Sequence, residues 1–203
     1  MPNWTSCVLE APSDVLKKYI GKDEDENLIF DFNKIIPMPE VYSDPELVAG
    51  GDEFNSIYWY LSRKGEIDVH DLFEKYPKIF AKAYGFFVPA EREKYERNSD
   101  LYYRVGKKYV DAFNKYGYID WYDWRRMNWG TKWNACDTFI EDSENPERVV
   151  FDTAWCMPVH IVNKILEDNP GCEITFTWFD EDYDGTHTIY RNSEGEISET
   201  TEW

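Results

Sequence analysis

The chain has 203 residues, 42% of them hydrophobic and 31% charged, enough for one buried core or a core carrying an insertion and too apolar for a disordered tail. No apolar run approaches the roughly 20 residues of a membrane-spanning helix. The start, MPNWTSCVLEAPSD, has neither the basic residues nor the apolar stretch of an export signal, so the reading is a soluble, cytoplasmic protein. The formal charge of −18 is uneven: −6 over residues 1–50, +1 over 51–130 and −13 over 131–203. Such a field repels phosphate backbones, so direct nucleic-acid binding is excluded. It serves solubility, or it attracts a basic, DNA-binding type of protein partner.

Residues 3–11 alternate, with Cys7 and Leu9 on one side and Ser6, Val8 and Glu10 on the other, which predicts a strand. Pro12, Ser13 and Asp14 then start a helix whose stripe is Val15, Leu16, Tyr19 and Ile20, ending at Gly21. Asp23 to Glu26 is a solvated acidic loop, and a second strand is expected over 28–36, stopped by Pro37-Met38-Pro39.

The texture then becomes helical. Ser43-Asp44-Pro45-Glu46 is expected to open a short helix, and Phe54, Ile57, Tyr58 and Leu61 make the stripe of another. Val69, Leu72, Phe73 and Tyr76 mark a third, interrupted or restarted at Pro77. Leu101, Val105, Tyr109, Phe113 and Tyr116 mark a longer one closed by Gly117, and Asp120 can cap a last helix that runs to Met127.

Strand texture returns at 132–140 and 148–155, joined by a polar loop of hairpin length. Pro158 starts a helix bearing Ile161, Val162, Ile165 and Leu166. EITFTWF (173–179) and THTIYR (186–191) flank the tight-turn signal Asp184-Gly185, and a weak final strand includes Ile197. The expected class is therefore α+β: a ferredoxin-like antiparallel sheet with helices on one face, plus a large, mostly helical insertion between strands 2 and 3. The expected division is a core from 1–39 and 131–203 and an insertion over 40–130.

Four segments in this order carry a family resemblance: Met1-Pro2-Asn3-Trp4, Phe32-Asn33-Lys34-Ile35-Ile36-Pro37-Met38-Pro39, Asn128-Trp129-Gly130-Thr131-Lys132-Trp133-Asn134-Ala135, and Phe151-Asp152-Thr153-Ala154-Trp155 followed by Pro158. Together they resemble the YubB-type ferredoxin-like proteins of bacteriophages and conjugative plasmids, a domain of unknown function, over roughly residues 1–40 and 125–192. The resemblance implies the ferredoxin-like core and a bacterial or phage origin on a mobile element. It implies no catalytic residues. The chain departs from the family where Thr5 and Ser6 follow Trp4, and in its longer, more aromatic helical block.

Two sets of residues are candidates for binding. Trp129, Lys132, Trp133, Asp152 and Trp155, joined by Asn3 and Asn33, could hold a base or phosphate-bearing ligand by stacking and charge; the competing reading is a structural aromatic core with Lys132 paired to Asp152. Asp180, Asp182 and Asp184 imitate the first half of a calcium loop, but Arg191 stands where that loop needs an acid, so they read as an acidic hairpin tip able to meet a basic partner. The helical block adds Tyr58, Trp59, Tyr60, Phe86, Phe87, Tyr102, Tyr103, Tyr116, Tyr118, Trp121, Tyr122 and Trp124, more rings than one helix face buries.

The four cysteines form no CxxC pair, and the three histidines lie far from any zinc-type spacing, so neither a metal nor a cofactor is expected. Phosphate-loop, dinucleotide and GxSxG signatures are all missing from the sequence, and His160 has no nucleophile motif beside it. Phe151-Asp152-Thr153 lacks the second aspartate that aspartyl phosphatases use. The leading expectation is a non-enzymatic phage or plasmid protein that binds a host or defence protein through an acidic and aromatic surface. The alternative is a small-ligand or nucleotide module using Trp129, Trp133 and Trp155.

Overall fold

The computed structural model describes residues 3–50, 52–83, 92–181 and 185–203. In chain order the elements are β1 (Trp4–Glu10), α1 (Ser13–Tyr19), β2 (Ile20–Lys22), β3 (Leu28–Phe30), α2 (Glu53–Leu61), α3 (Val69–Lys75), α4 (Pro77–Phe80), α5 (Arg92–Arg97), α6 (Ser99–Tyr116), α7 (Trp121–Asn128), β4 (Cys136–Ile140), β5 (Arg148–Ala154), α8 (Val159–Asp168), β6 (Ile174–Asp180), β7 (Thr186–Arg191) and β8 (Ile197–Glu202), with 3-10 turns at Phe32–Lys34 and Glu40–Ser43. The chain divides into two compact units, one from 1–37 and 125–203, the other from 38–124.

The first unit is α+β. Its main sheet has six strands in the order β4-β5-β1-β6-β7-β8, every neighbouring pair antiparallel. The alternation of β1 sends Thr5, Cys7 and Leu9 inward, and its partners align Thr153, Phe151 and Val149 on one side with Asp180, Trp178 and Phe176 on the other. Both helices of this unit cover that face. Tyr19 of α1 meets Phe30 edge-on at 6.4 Å, and Phe30 stacks on Phe151 at 4.9 Å. From α8, Ile161, Val162, Ile165 and Leu166 are buried, and Leu166 O accepts from the Arg191 guanidinium of β7.

The local chemistry differs from the sequence reading in several places, the first being the end of α1, where Ile20 and Gly21 leave the helix and pair with β3 as β2. The strand expected over 28–36 stops at Phe30, because Asp31 Oδ1 accepts from Asn33 N at 3.0 Å and turns the chain into the 3-10 turn. The strand expected from 132 begins at Cys136: Asn134 Oδ1 accepts from Phe32 N and Ala135 N at 2.8 and 3.0 Å, pinning that segment to the turn instead. The helix expected at Ser43 is a 3-10 turn one step earlier, Glu40–Ser43, after which Asp44 Oδ1 takes Glu46 N in a side-chain turn.

In the second unit α2 lies against α6, and the approach is closest at Gly106, where an added Cβ would sit 1.9 Å from Ser56 O. Tyr58, Trp59, Leu72 and Tyr102 form its core, with Tyr76 and Phe80 packed around them. Tyr hydroxyls bury with partners: Tyr42 donates to Tyr118 O, Tyr109 to Val48 O and Tyr102 to Asp52 Oδ2, all within 3.0 Å. These three rings can be buried because each hydroxyl has a partner inside the fold. Gly117, at φ 83°, ends α6 with its N–H on Phe113 O.

Candidate functional site

With both helices of the first unit on one face of the sheet, the alternation of its strands sends the other set of side chains to the opposite face. Across the sheet the registers build three rows there. The first is Cys136, Asp152, Ser6, Phe179, Thr186 and Glu202; the second is Phe139, Val150, Val8, Thr177, Thr188 and Thr200; the third includes Arg148, Glu10, Thr175, Tyr190 and Ser198. Phe139 is 58% exposed and Phe179 47%. Val8 and Val150 between the strands are half-buried. The polar members are fixed by one another: Ser6 donates to Asp152 Oδ1 at 2.7 Å, the Thr177 and Thr188 hydroxyls meet at 3.1 Å, and Tyr190 donates to Glu173 Oε1 at 2.7 Å.

At one end of the sheet the strands open into a cleft of about 560 Å³ lined by Glu10, Glu141, Glu147, Glu173, Arg148 and Thr175, among others. Arg148 Nε stands 3.5 Å from Glu10 Oε1 and its Nη1 3.9 Å from Glu141 Oε2, one cation among four carboxylates. The unit as a whole carries 24 acidic and 10 basic side chains, a net −14 of the chain's −18. Two exposed phenylalanines, on β4 and β6 of a sheet with such a charge, suit a surface that buries rings and attracts cations.

The residues singled out from the sequence are dispersed around this face. Trp129 is fully buried, its Nε1 donating to Ile36 O at 2.9 Å and its ring edge-on to Phe32 at 5.7 Å, so its planes meet protein. Lys132 Nζ stands 4.6 Å from the centre of the Trp133 ring, and Trp133 meets Trp4 at 6.0 Å. Asp152 lies on the open face in the Ser6 row, and Asp180 accepts from Thr5 Oγ1 on the helix-covered face. Trp155 is 58% exposed at the end of β5 with φ 75°, and its N–H donates to Asn3 O at 2.9 Å. Asn33 is exposed in the 3-10 turn beyond β3. Asp182 and Asp184, like Phe86 and Phe87, fall outside the described residues. Trp133 with Lys132, and Trp155 with Asn3, are brought together.

The sequence reading passed over Phe139 and Phe179. Their signal was present: Phe179 alternates out of phase with Ile174, Phe176 and Trp178, so a strand that buries those three must turn Phe179 to the other face.

Burial pushes the Cys7 thiol far above its usual range, and Cys136 and Cys156 are raised for the same reason. Among the described residues no cluster of His, Cys, Asp and Glu is arranged to hold a metal, and no helix is long and apolar enough to cross a membrane.

Fold and face together define the first unit as an α+β module with a six-stranded antiparallel sheet covered on one side by helices. No protein-family model matches the chain, and no curated protein does. Among solved structures it is similar to the crystal structure of protein api92 from Yersinia pseudotuberculosis, described with the family model DUF1281, at 10% identity and a TM-score of 0.39 over 98% of each chain.

Proposed function

We propose that this chain is a non-enzymatic interaction protein whose acidic first unit binds a basic protein partner through the open face of its sheet. The observation that carries the reading is the exposure of Phe139 and Phe179 on a unit with a net charge of −14. Exposed aromatic side chains supply the area that interfaces bury, while the surrounding carboxylates speed the approach of a cationic partner and exclude anionic ones. Trp155 supports it further. A left-handed φ of 75° is a conformation tryptophan tolerates poorly, and at 58% exposure the ring gains little from burial.

The architectural reading that goes with it is ferredoxin-like. In support, β1, β4, β5 and β6 with α1 and α8 follow the chain order β-α-β-β-α-β, and these four strands lie side by side as β4-β5-β1-β6. On this reading residues 38–124 are an insertion between α1 and β4, ahead of the second core strand and not between the second and third as the sequence suggested, and the YubB-type resemblance supports a phage or conjugative-plasmid product acting in the host cytoplasm.

Affinity capture from a bacterial lysate tests the function. Wild type should retain a basic protein at 50 mM salt, release it at 500 mM, and lose it in the double variant Phe139→Ser/Phe179→Ser. Retention by the double variant equal to wild type sinks the reading. The nucleotide alternative is separated by thermal shift: a nucleotide that raises the melting temperature of wild type but not of Trp133→Ala would favour it.

A further inference from the structure

The two edges of the sheet are unlike. At one, β4 is bulged between Cys136 and Phe139, with Asp137 at φ 45°, and its Thr138 hydroxyl is occupied by the N–H of Phe30 from the neighbouring hairpin. A bent, flanked strand of this kind is a poor template for another chain. At the other edge β8 pairs with β7 over six consecutive residues, Thr186 with Glu202 through Arg191 with Ile197, without a break in register. It has no proline, lysine or bulge, and all six of its residues are exposed.

Antiparallel pairing fixes where its backbone groups point. Asn192 N donates to Glu196 O at 3.1 Å, which makes those two a bonded pair. Bonded pairs then recur at every second residue, so Ser198, Thr200 and Glu202 turn their N–H and C=O groups toward β7. Ile197, Glu199 and Thr201 turn theirs away from the sheet. The edge is held firmly, since Thr201 Oγ1 meets His187 Nδ1 at 3.0 Å and Asn192 Oδ1 takes the N–H of Glu196 at 2.9 Å.

Charge selects what can pair there. Residues 192–203 carry Glu194, Glu196, Glu199 and Glu202 and no lysine or arginine. A second copy docking antiparallel on the outward groups about its own centre would set Glu199 opposite Glu199, an arrangement that like charges oppose. A strand with Lys or Arg at alternate positions meets the same carboxylates favourably.

We infer that β8 is a strand-acceptor edge, which takes an extended Lys/Arg-rich segment of another protein as a seventh strand of the sheet. Main-chain bonds from Ile197, Glu199 and Thr201 supply the pairing, and the glutamates choose the partner. This deepens the proposed function and rests on it for the partner's basic character.

The test uses the whole chain and a capped peptide, Lys-Val-Lys-Thr-Lys-Val-Lys, with a second version N-methylated at alternate residues. At 50 mM salt the plain peptide should slow hydrogen exchange of the Ile197, Glu199 and Thr201 amides at least tenfold. The N-methylated peptide, equal in charge but unable to pair, should not. Glu199→Lys should weaken the plain peptide at least tenfold. Equal action of the two peptides, protection confined to other amides, or no protection at all overturns the edge proposal. So does a concentration-dependent dimer that protects the same three amides without peptide, since the occupant is then a second copy. Should the Phe139→Ser/Phe179→Ser variant lose the captured partner while Glu199→Lys keeps it, the edge proposal fails and the interaction function stands.

Discussion

Arg191 shows how much a single buried side chain can settle. It is 5% exposed, and its guanidinium donates to Leu166 O in the last turn of α8 and to Asn169 O and Cys172 O just beyond it. Asn169 completes the junction, giving its amide to Tyr19 OH and Ile165 O at 2.8 Å and accepting from Lys18 at 2.9 Å. Arg191→Ala removes the guanidinium that Leu166 O, Asn169 O and Cys172 O share and is expected to cost about 3 kcal/mol in urea denaturation; a loss under about 1 kcal/mol would mean that water replaces the guanidinium. Asp120 makes the opposite case. It is fully buried, its Oδ1 accepts from Asp123 N at 2.8 Å, and burial raises its pKa; that hydrogen bond pulls the other way, while the Asp123 charge adds to the rise and Lys82 opposes it. The folded state therefore holds this proton more tightly than the unfolded chain does. Its contribution is full below the ordinary value of 3.8 and falls as pH rises through the raised value. Asp120→Asn keeps the acceptor and removes the charge, so its stability relative to wild type should grow between pH 4 and pH 7. A difference constant across that range would show that Asp120 does not titrate abnormally.

Elements differ in how openly the sequence announces them. β1, β5 and β6 are legible because alternation needs only one face to be buried, and Cys7, Leu9, Phe151 and Phe176 mark that face directly. α8 and the Gly117 end of α6 are legible for similar reasons, the first from its stripe and the second from a residue that alone adopts φ 83° cheaply. Residues 31–36 are not. LIFDFNKII has strand composition, yet the Asp31 and Asn134 side chains compete for its backbone, and Asn134 comes from a hundred residues away. The place of Gly106 was equally hidden. A glycine inside α6 forfeits about 1 kcal/mol of helix propensity, and only the approach of Ser56 O explains why it stands there. Gly106→Ala regains that propensity but forces α2 and α6 apart. The clash should win by about 2 kcal/mol, seen as a lower melting temperature with the helical signal retained; an unchanged or higher melting temperature would show that the helices separate freely.

At the scale of the whole molecule, charge and architecture coincide. The unit built from 1–37 and 125–203 holds −14, leaving −4 on 38–124 from 16 acidic and 12 basic side chains. The second unit also spends its acids internally, with Lys108 2.5 Å from Asp44 and 2.6 Å from Glu46, and Arg104 2.5 Å from Glu46. Those lysine hydrogen bonds hold the Asp44 and Glu46 carboxyls below their usual values. Since all six strands of the main sheet come from the first unit, a chain in which a short Gly-Ser linker replaces 38–124 is expected to unfold cooperatively, with strand signal in circular dichroism. A non-cooperative melt would mean that the sheet depends on the excised residues. The sequence by itself determined the α+β class, the strand alternation, the acidic flanks and the helical texture of the middle, because period, capping and charge are local properties. Tertiary structure alone decided that Trp129 is core, that Phe139 and Phe179 share an open face, and that β8 is an edge. Each of those depends on which strand lies beside which, and strand order is set by contacts between residues far apart in the chain.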